Sequence, residues 1–410
     1  MAQNSTPPGD HRADGAVGAG AGLLGPTRRQ ALVGSGLVLG AAALSATPFL
    51  GGLLASIGRV FQPTVGVVAP PSTRYLDILG QLATGVRRGL AAGGQPDAPV
   101  LARASANSAP SSVAATAREL ITRDKVDLVL VYANPTDARL LGQLAEETGV
   151  PVVVVDPGAQ IVTSADAEPL VLSYSLGHWQ SIWALGSWAA GATGGSVYVI
   201  SSLYESGFDV LNAFEHGLTK AGGSVAGTSI THVKAGDTAD AVRKAVASGA
   251  GAIFLAASGH EADDILTAIA ASKAASRMSL LVPGLSAGRL AVAPTLSAFT
   301  ALTWPVAEKT AFQMLGEDVG ALVAAAVDGG RKALPVGTTA LAGARGEISL
   351  DLATGRTDVP VSIHSVTARG GTVAYKPLGA QTNTSQATAF ADAIVPKLRT
   401  GWLDVYGSTL

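Results

Sequence analysis

The chain has 410 residues and no cysteine. That absence excludes disulfides, thiolate metal sites and cysteine nucleophiles, and with them lipid attachment at a signal-peptide cysteine; it leaves the redox compartment open. Charge is scarce as well: charged residues make up 14% of the chain and the formal net charge is −2. No basic stripe follows the first sixty residues, so the sequence gives no reason to expect nucleic acid or an acidic membrane as partner. The six histidines (His11, His178, His216, His232, His260 and His364) have no close ligand spacing, so no metal or cofactor is expected. What is abundant is apolar. Hydrophobic residues reach 48%, with 50 glycines, which argues against disorder, and the length suffices for two domains of ordinary size.

Residues 1–60 read as an export leader. A polar stretch rich in Gly, Pro and Ala leads to Thr27-Arg28-Arg29-Gln30-Ala31-Leu32, followed by a mostly apolar run from Val33 to Ala55. A positive pair ahead of an apolar stretch is what an export signal requires. The long polar lead and the glycines inside the run resemble a twin-arginine signal, with Ala31 where that motif usually has Phe. A general secretory signal and an uncleaved anchor also fit a run of this length, about 20 apolar residues being enough to span a bilayer.

From Thr64 onward, short apolar runs alternate with helical patterns. Val65–Ala69, Pro99–Ala104, Val126–Tyr132, Pro151–Val155, Ser196–Ser201, Ser224–His232, Ala252–Ala256 and Ser279–Val282 have the continuous apolar character of strands buried on both faces. Between them, Tyr75–Ala92, Ser111–Arg123, Thr136–Thr148, His178–Ala190, Gly207–Ala221, Thr238–Ser248 and Glu261–Ser272 carry apolar residues at helical spacing. This order predicts an α/β protein with parallel sheets wound by right-handed crossovers. So many units exceed one open sheet, so two doubly wound lobes are expected, with a break near Leu170–Gly177.

Four segments carry a family likeness. They are Thr64–Pro71 with the glycine-bearing helix Gly85–Gly93, Val126–Val155, Ser196–Gly223, and Gly343–Gly355 (GARGEISLDLATG). In this order, from Pro63 to about Tyr375, the chain resembles the type I periplasmic binding proteins, in particular the branched-chain amino-acid and amide-binding group. The resemblance implies two lobes joined by a three-strand hinge, with a small polar solute bound in the cleft and handed to an ABC permease of the inner membrane. It implies an N-terminal lobe of 61–173 plus about 285–358, a C-terminal lobe of 174–284 plus about 359–375, and a separate tail, 376–410. A periplasmic sensor or enzyme-associated partner on the same fold is the alternative.

The resemblance also points to the cleft residues. In the first lobe these are Ser72, Tyr75, Asn134, Thr136 and Asp156; Asn134 and Thr136 also suit a helix cap, with Pro135 at the first helical position. Asp156 stands where amino-acid binders commonly have a small hydroxyl residue, and it suits a turn through Asp156-Pro157-Gly158 equally well. From the second lobe come Tyr174, Tyr204, Glu205 and Ser258, although the Tyr204–Gly207 turn is one residue wider than in relatives. Trp304 suits either a pocket floor or hinge packing.

One enzymatic motif is present. Gly284-Leu285-Ser286-Ala287-Gly288 has the G-x-S-x-G pattern of a nucleophile elbow, and Asp318, Asp328 or Asp351 with His364 would complete a triad in order. Pro294 makes the following helix a poor one, and a chain this rich in Gly, Ala and Ser meets the pattern by chance. The expectation is therefore a binding protein and not an enzyme.

Overall fold

The computed structural model describes residues 62–381 except 73, 135–136, 162–170, 208, 233–235, 330–337 and 352–355, together with 387 and 389. Residues 1–60, expected to form an export leader, and most of the expected tail lie outside the described residues.

The first sheet is wholly parallel. Strands β1 (Val65–Ala69), β2 (Val100–Ala104), β3 (Leu128–Tyr132), β4 (Val152–Asp156) and β5 (Val171–Ser175) lie in the order β2-β1-β3-β4-β5. Runs such as VGVVA and VVVVD are apolar at every position because both faces are covered. Alternate residues serve opposite cores: Val65, Val67, Leu128 and Leu130 face one helical layer, Val68, Val129 and Val131 the other. The first layer contains α1 (Ile78–Ala92), the second α2 (Pro110–Thr122) and α3 (Ala138–Thr148).

The second sheet is built on parallel strands β6 (Ser196–Ser202), β7 (Ser224–Thr231), β8 (Ala252–Ala256), β9 (Ser279–Leu281) and β10 (Ser297–Leu302). Its order is β15-β14-β10-β9-β8-β6-β7, with β14 (Val361–Arg369) and β15 (Thr372–Gln381) antiparallel at one edge. Helices α4 (His178–Ala192) and α5 (Val210–Lys220) cover one face. The other is covered by α6 (Thr238–Ala247), α7 (Gly259–Ala270) and the short α8 (Ala274–Arg277).

After β10 the chain returns to the first sheet. Helix α9 (Ala311–Gly329) packs along α1, and a small antiparallel sheet, β11 (Thr338–Gly343), β12 (Gly346–Asp351) and β13 (Arg356–Asp358), adds Leu341, Ile348 and Leu350 to the same core. The expected return near residue 285 is thus corrected. The segment 284–302 belongs to the second sheet, where Ala287, Leu290 and Ala298 are buried in its core. The boundary expected at 375 also moves, because β15 runs on to Gln381, and Ala387 packs against the second core.

Glycines set the spacing of the tightest helix pairs. A Cβ on Gly85 would run into the carbonyl oxygen of Gln313, and one on Gly89 into that of Glu317; Gly316 and Gly320 of α9 answer against Leu82 and Val86. With side chains removed at four-residue intervals on both helices, α1 and α9 approach backbone to backbone, close enough for Cα–H···O contacts.

The chain passes between the sheets three times, after β5, after β10 and after β13. The crossings are tied to one another. Thr303 Oγ1 donates to the Leu176 carbonyl, and Gln180 Nε2 donates to the Thr357 carbonyl at 2.8 Å. Among the described residues no helix is long and apolar enough to cross a membrane.

Candidate functional site

In parallel sheets the loops after the carboxyl ends of the strands are free to gather around a ligand. Here the loops after β1, β2, β3 and β4 meet those after β5 and β6, enclosing a cavity of ≈ 130 Å³. That is close to the roughly 150 Å³ at which an engineered apolar cavity accommodates benzene. The site has room for one small ring.

One wall is aromatic. Tyr75 and Tyr132 line the cavity, and both rings meet the edge of Phe312 on α9, at centroid distances of 5.2 and 5.9 Å. Phe312 is buried and belongs to the first core, so both tyrosines are held from behind by rigid structure. The loop that carries Tyr75 is fixed by Ser72, whose Oγ accepts from the backbone N–H groups of Arg74 and Tyr75 at 3.2 Å. The helix expected from Tyr75 therefore starts later, at Ile78. Asp77, with φ 54°, stands at its N-cap and accepts from the Gly80 N–H.

The two lobes are joined across the cavity. Arg74 Nη1 donates to Ser258 Oγ at 2.6 Å and lies 3.4 Å from Glu205 Oε1, while Ser258 Oγ donates to the same carboxylate oxygen at 2.5 Å. The guanidinium lies over the ring of Tyr204. A short 3₁₀ turn, Glu205–Gly207, presents Glu205, and Ser202 Oγ accepts its backbone N–H at 3.1 Å. Burial raises the Glu205 carboxyl above its ordinary range, and the Ser258 hydrogen bond and the Arg74 charge pull it back.

Asp156 ends β4 and is buried; loss of water raises its carboxyl to about 7, against a lowering by the Gly158 N–H. The following turn needs Gly158. Its φ is 77°, and a Cβ there would press on the backbone nitrogens of Gly177 and His178. This close approach seats the start of α4 on the turn, with the His178 N–H on Pro157 O at 3.1 Å and the Trp179 N–H on Gly158 O at 2.8 Å. His178 lines the cavity, is buried, and is lowered to about 4 by burial, so it is neutral at pH 7. Its Nδ1 is buried and has no hydrogen-bond partner among the described residues.

Of the residues singled out in the sequence, Ser72, Tyr75, Asn134, Asp156, Tyr204 and Glu205 line this cavity, and Ser258 stands behind it as a partner of Arg74 and Glu205. Thr136 and Pro135 lie outside the described residues. The α-helix α3 begins at Ala138 with Asp137 in the cap position, and the Asp137 N–H donates to the Asn134 carbonyl at 2.9 Å.

Two assignments are corrected. Tyr174 is buried in the first core and donates its hydroxyl to Asp318 Oδ2 at 3.1 Å; Asp318 pairs with the fully buried Arg345, which reaches Ser175 O at 3.1 Å. This is an internal brace, set by β5 pointing alternate side chains into the core. Trp304 sits in the second crossing and packs over Gly284, lining a separate cavity with Tyr375, Val306 and Tyr75. From the sequence, Arg74 and Tyr132 fall in the cleft-facing loops Pro71–Tyr75 and Tyr132–Thr136 and His178 falls just after the crossover, but none of the three was assigned to the site; Phe312 was missed altogether. Arg74 and Tyr132 had a signal, since each ends or follows a predicted apolar strand; Phe312 had none, because α9 was not foreseen.

The elbow motif is accounted for by packing. Ser286 is buried in a 3₁₀ segment, Gly284–Val292, and its Oγ donates to the Ala257 carbonyl at 2.7 Å, an arrangement unlike an exposed nucleophile on an α-helical turn.

Residues 100–325 match the family model described as periplasmic binding protein. Among solved structures, a solute-binding protein of an ABC transporter from Rhodopseudomonas palustris in complex with 3,4-dihydroxybenzoic acid is similar, with a TM-score of 0.62, 19% identity, and coverage of 78% of this chain and 97% of that one. A second solute-binding protein from R. palustris, in complex with 4-hydroxybenzoate, gives a TM-score of 0.60 at 19% identity, with 78% and 97% covered. An ABC-type branched-chain amino acid transporter protein from the same species gives 0.60 at 13% identity, with 78% and 96% covered. No curated protein matches the chain. The family match covers more than half of the chain, from β2 of the first sheet through β10 of the second, and the chain belongs to the periplasmic binding protein family.

Proposed function

We propose that this protein is the substrate-binding component of an ABC-type uptake system, exported to the periplasm and delivering a small solute to an inner-membrane permease. The observation that carries the reading is the interlobe contact at the cavity: Arg74 of one lobe pairs with Glu205 and Ser258 of the other. A hinge of three crossings allows opening, and closing the cleft buries whatever lies between the tyrosines and the carboxyl ends of the strands. The cavity volume and the rings of Tyr75, Tyr132 and Tyr204 favour a single planar ring. Two solute-binding proteins of similar fold carry hydroxylated benzoic acids. In this reading Asn134, Asp156 and His178 orient the polar edge of the solute, and Ser72 shapes the loop.

A thermal-shift screen of the purified chain against single-ring aromatic compounds, amino acids, amides and sugars tests it. A solute bound only by the folded state, at 100 times its dissociation constant, adds about 2.7 kcal/mol of stability. A raised midpoint for one chemical class is the expected result. A folded protein whose midpoint moves with no member of the panel counts against uptake.

A further inference from the structure

The charges around the cavity are unevenly distributed. Among the described residues Arg74 is its one lysine or arginine, whereas Asp137, Asp156 and Glu205 all line it. Arg74 is also committed. It donates to Ser258 Oγ at 2.6 Å, pairs with Glu205 at 3.4 Å, and has Tyr204 against its face. With side-chain exposures of 17% and 11%, the Arg74–Glu205 pair is partly withdrawn from water, where charges compensate one another more strongly than at the surface.

A ring carboxylate entering this cavity meets two obstacles. It must displace Glu205 from Arg74, and it must sit beside further acids whose like charge opposes it. A neutral polar group meets neither obstacle. It can also donate a hydrogen bond to the carboxyl oxygens of Asp156 and Glu205, which line the cavity.

We propose that the cleft selects a neutral single-ring solute bearing an amide or hydroxyl group and discriminates against ring carboxylates. This rests on the binding-protein reading above and fixes the ligand class within it. Glu205 is then a specificity-determining residue: by occupying Arg74 it denies that cation to a ligand carboxylate.

The test is calorimetric titration of the full chain at pH 7.5 with matched pairs, benzamide against benzoate and 4-hydroxybenzamide against 4-hydroxybenzoate. Each amide is expected to bind at least tenfold more tightly than its acid. In Glu205→Gln, which keeps the shape and hydrogen-bonding capacity of the side chain but removes its charge, the ratio is expected to narrow at least tenfold as the acid gains Arg74. An acid that binds the parent protein as tightly as its amide, or a ratio unchanged in a folded Glu205→Gln variant, overturns the inference and leaves the binding-protein reading standing. Binding of none of the four by folded protein overturns the single-ring reading beneath it. The comparison on the parent protein needs no variant, so misfolding of Glu205→Gln does not remove the test.

Discussion

Arg74 and Glu205 come from loops on different lobes, 131 residues apart in sequence, and meet 3.4 Å apart at the cavity with little exposure of either side chain. The pair, with Ser258 and Tyr204 around it, forms only when the two lobes are together.

Arg74→Ala is expected to weaken solute binding by about 10- to 100-fold, because closure loses its cross-lobe contact and Glu205 is left buried without its cation. Arg74→Lys restores the charge but not the flat face over Tyr204, so it recovers only part of the loss. Titration calorimetry measures both, and small-angle scattering is expected to show a larger average radius for the alanine variant with solute present.

Asp156 and His178 oppose each other on titration. The Asp156 carboxyl is raised from 3.8 to about 7, so its contribution to stability is complete below pH 3.8 and is lost as pH rises through about 7. His178 is lowered from 6.5 to about 4, so its contribution is complete above pH 6.5 and is lost as pH falls through about 4. Each is worth on the order of 3–4 kcal/mol across its window. Relative to the parent protein, Asp156→Asn should gain stability as pH rises from 4 to 8, and His178→Gln should gain it as pH falls from 7 to 4. Urea unfolding at several pH values reads both slopes.

The helix pair α1–α9 gives a prediction about packing. Gly85→Val is expected to cost at least about 3 kcal/mol, since the side chain has only the Gln313 carbonyl to meet. Gly191→Ala, in α4 with open space around it, is expected to be neutral or to stabilise by up to about 1 kcal/mol. Thermal unfolding of the two variants side by side checks the contrast.

The Tyr174–Asp318–Arg345 brace separates structure from function. Asp318→Ala is expected to cost about 3–5 kcal/mol by stranding a buried guanidinium, whereas Tyr174→Phe should leave solute affinity within about twofold. Denaturant unfolding and titration on the same preparations distinguish these effects.

The strands of both parallel sheets were legible because runs such as Leu128–Tyr132 and Ala252–Ala256 are apolar at every position, a pattern few other structures produce. The late elements were not. Helix α9 is apolar nearly all round, buried between α1 and the small sheet, so it lacks the polar face that marks a surface helix. The β14–β15 hairpin did carry a signal: Gly370-Gly371, with φ 56° and 80°, supplies the positive φ at both turn positions that a tight hairpin requires. Site residues on strand-end loops, such as Tyr75, Asp156 and Glu205, followed from the family resemblance laid over the strand pattern. Whether a tyrosine there faced the cleft or the core depended on strand register, which placed Tyr132 at the cavity and Tyr174 in the interior.

The most direct measurement is calorimetric titration of the purified chain, and of its Tyr132→Ala variant, with the single-ring solute that gives the largest thermal shift. One-to-one binding by the parent protein, weakened at least tenfold in the variant, is the predicted result. Binding that Tyr132→Ala leaves untouched, or no binding by folded protein, would contradict the assignment of this cleft as the solute site.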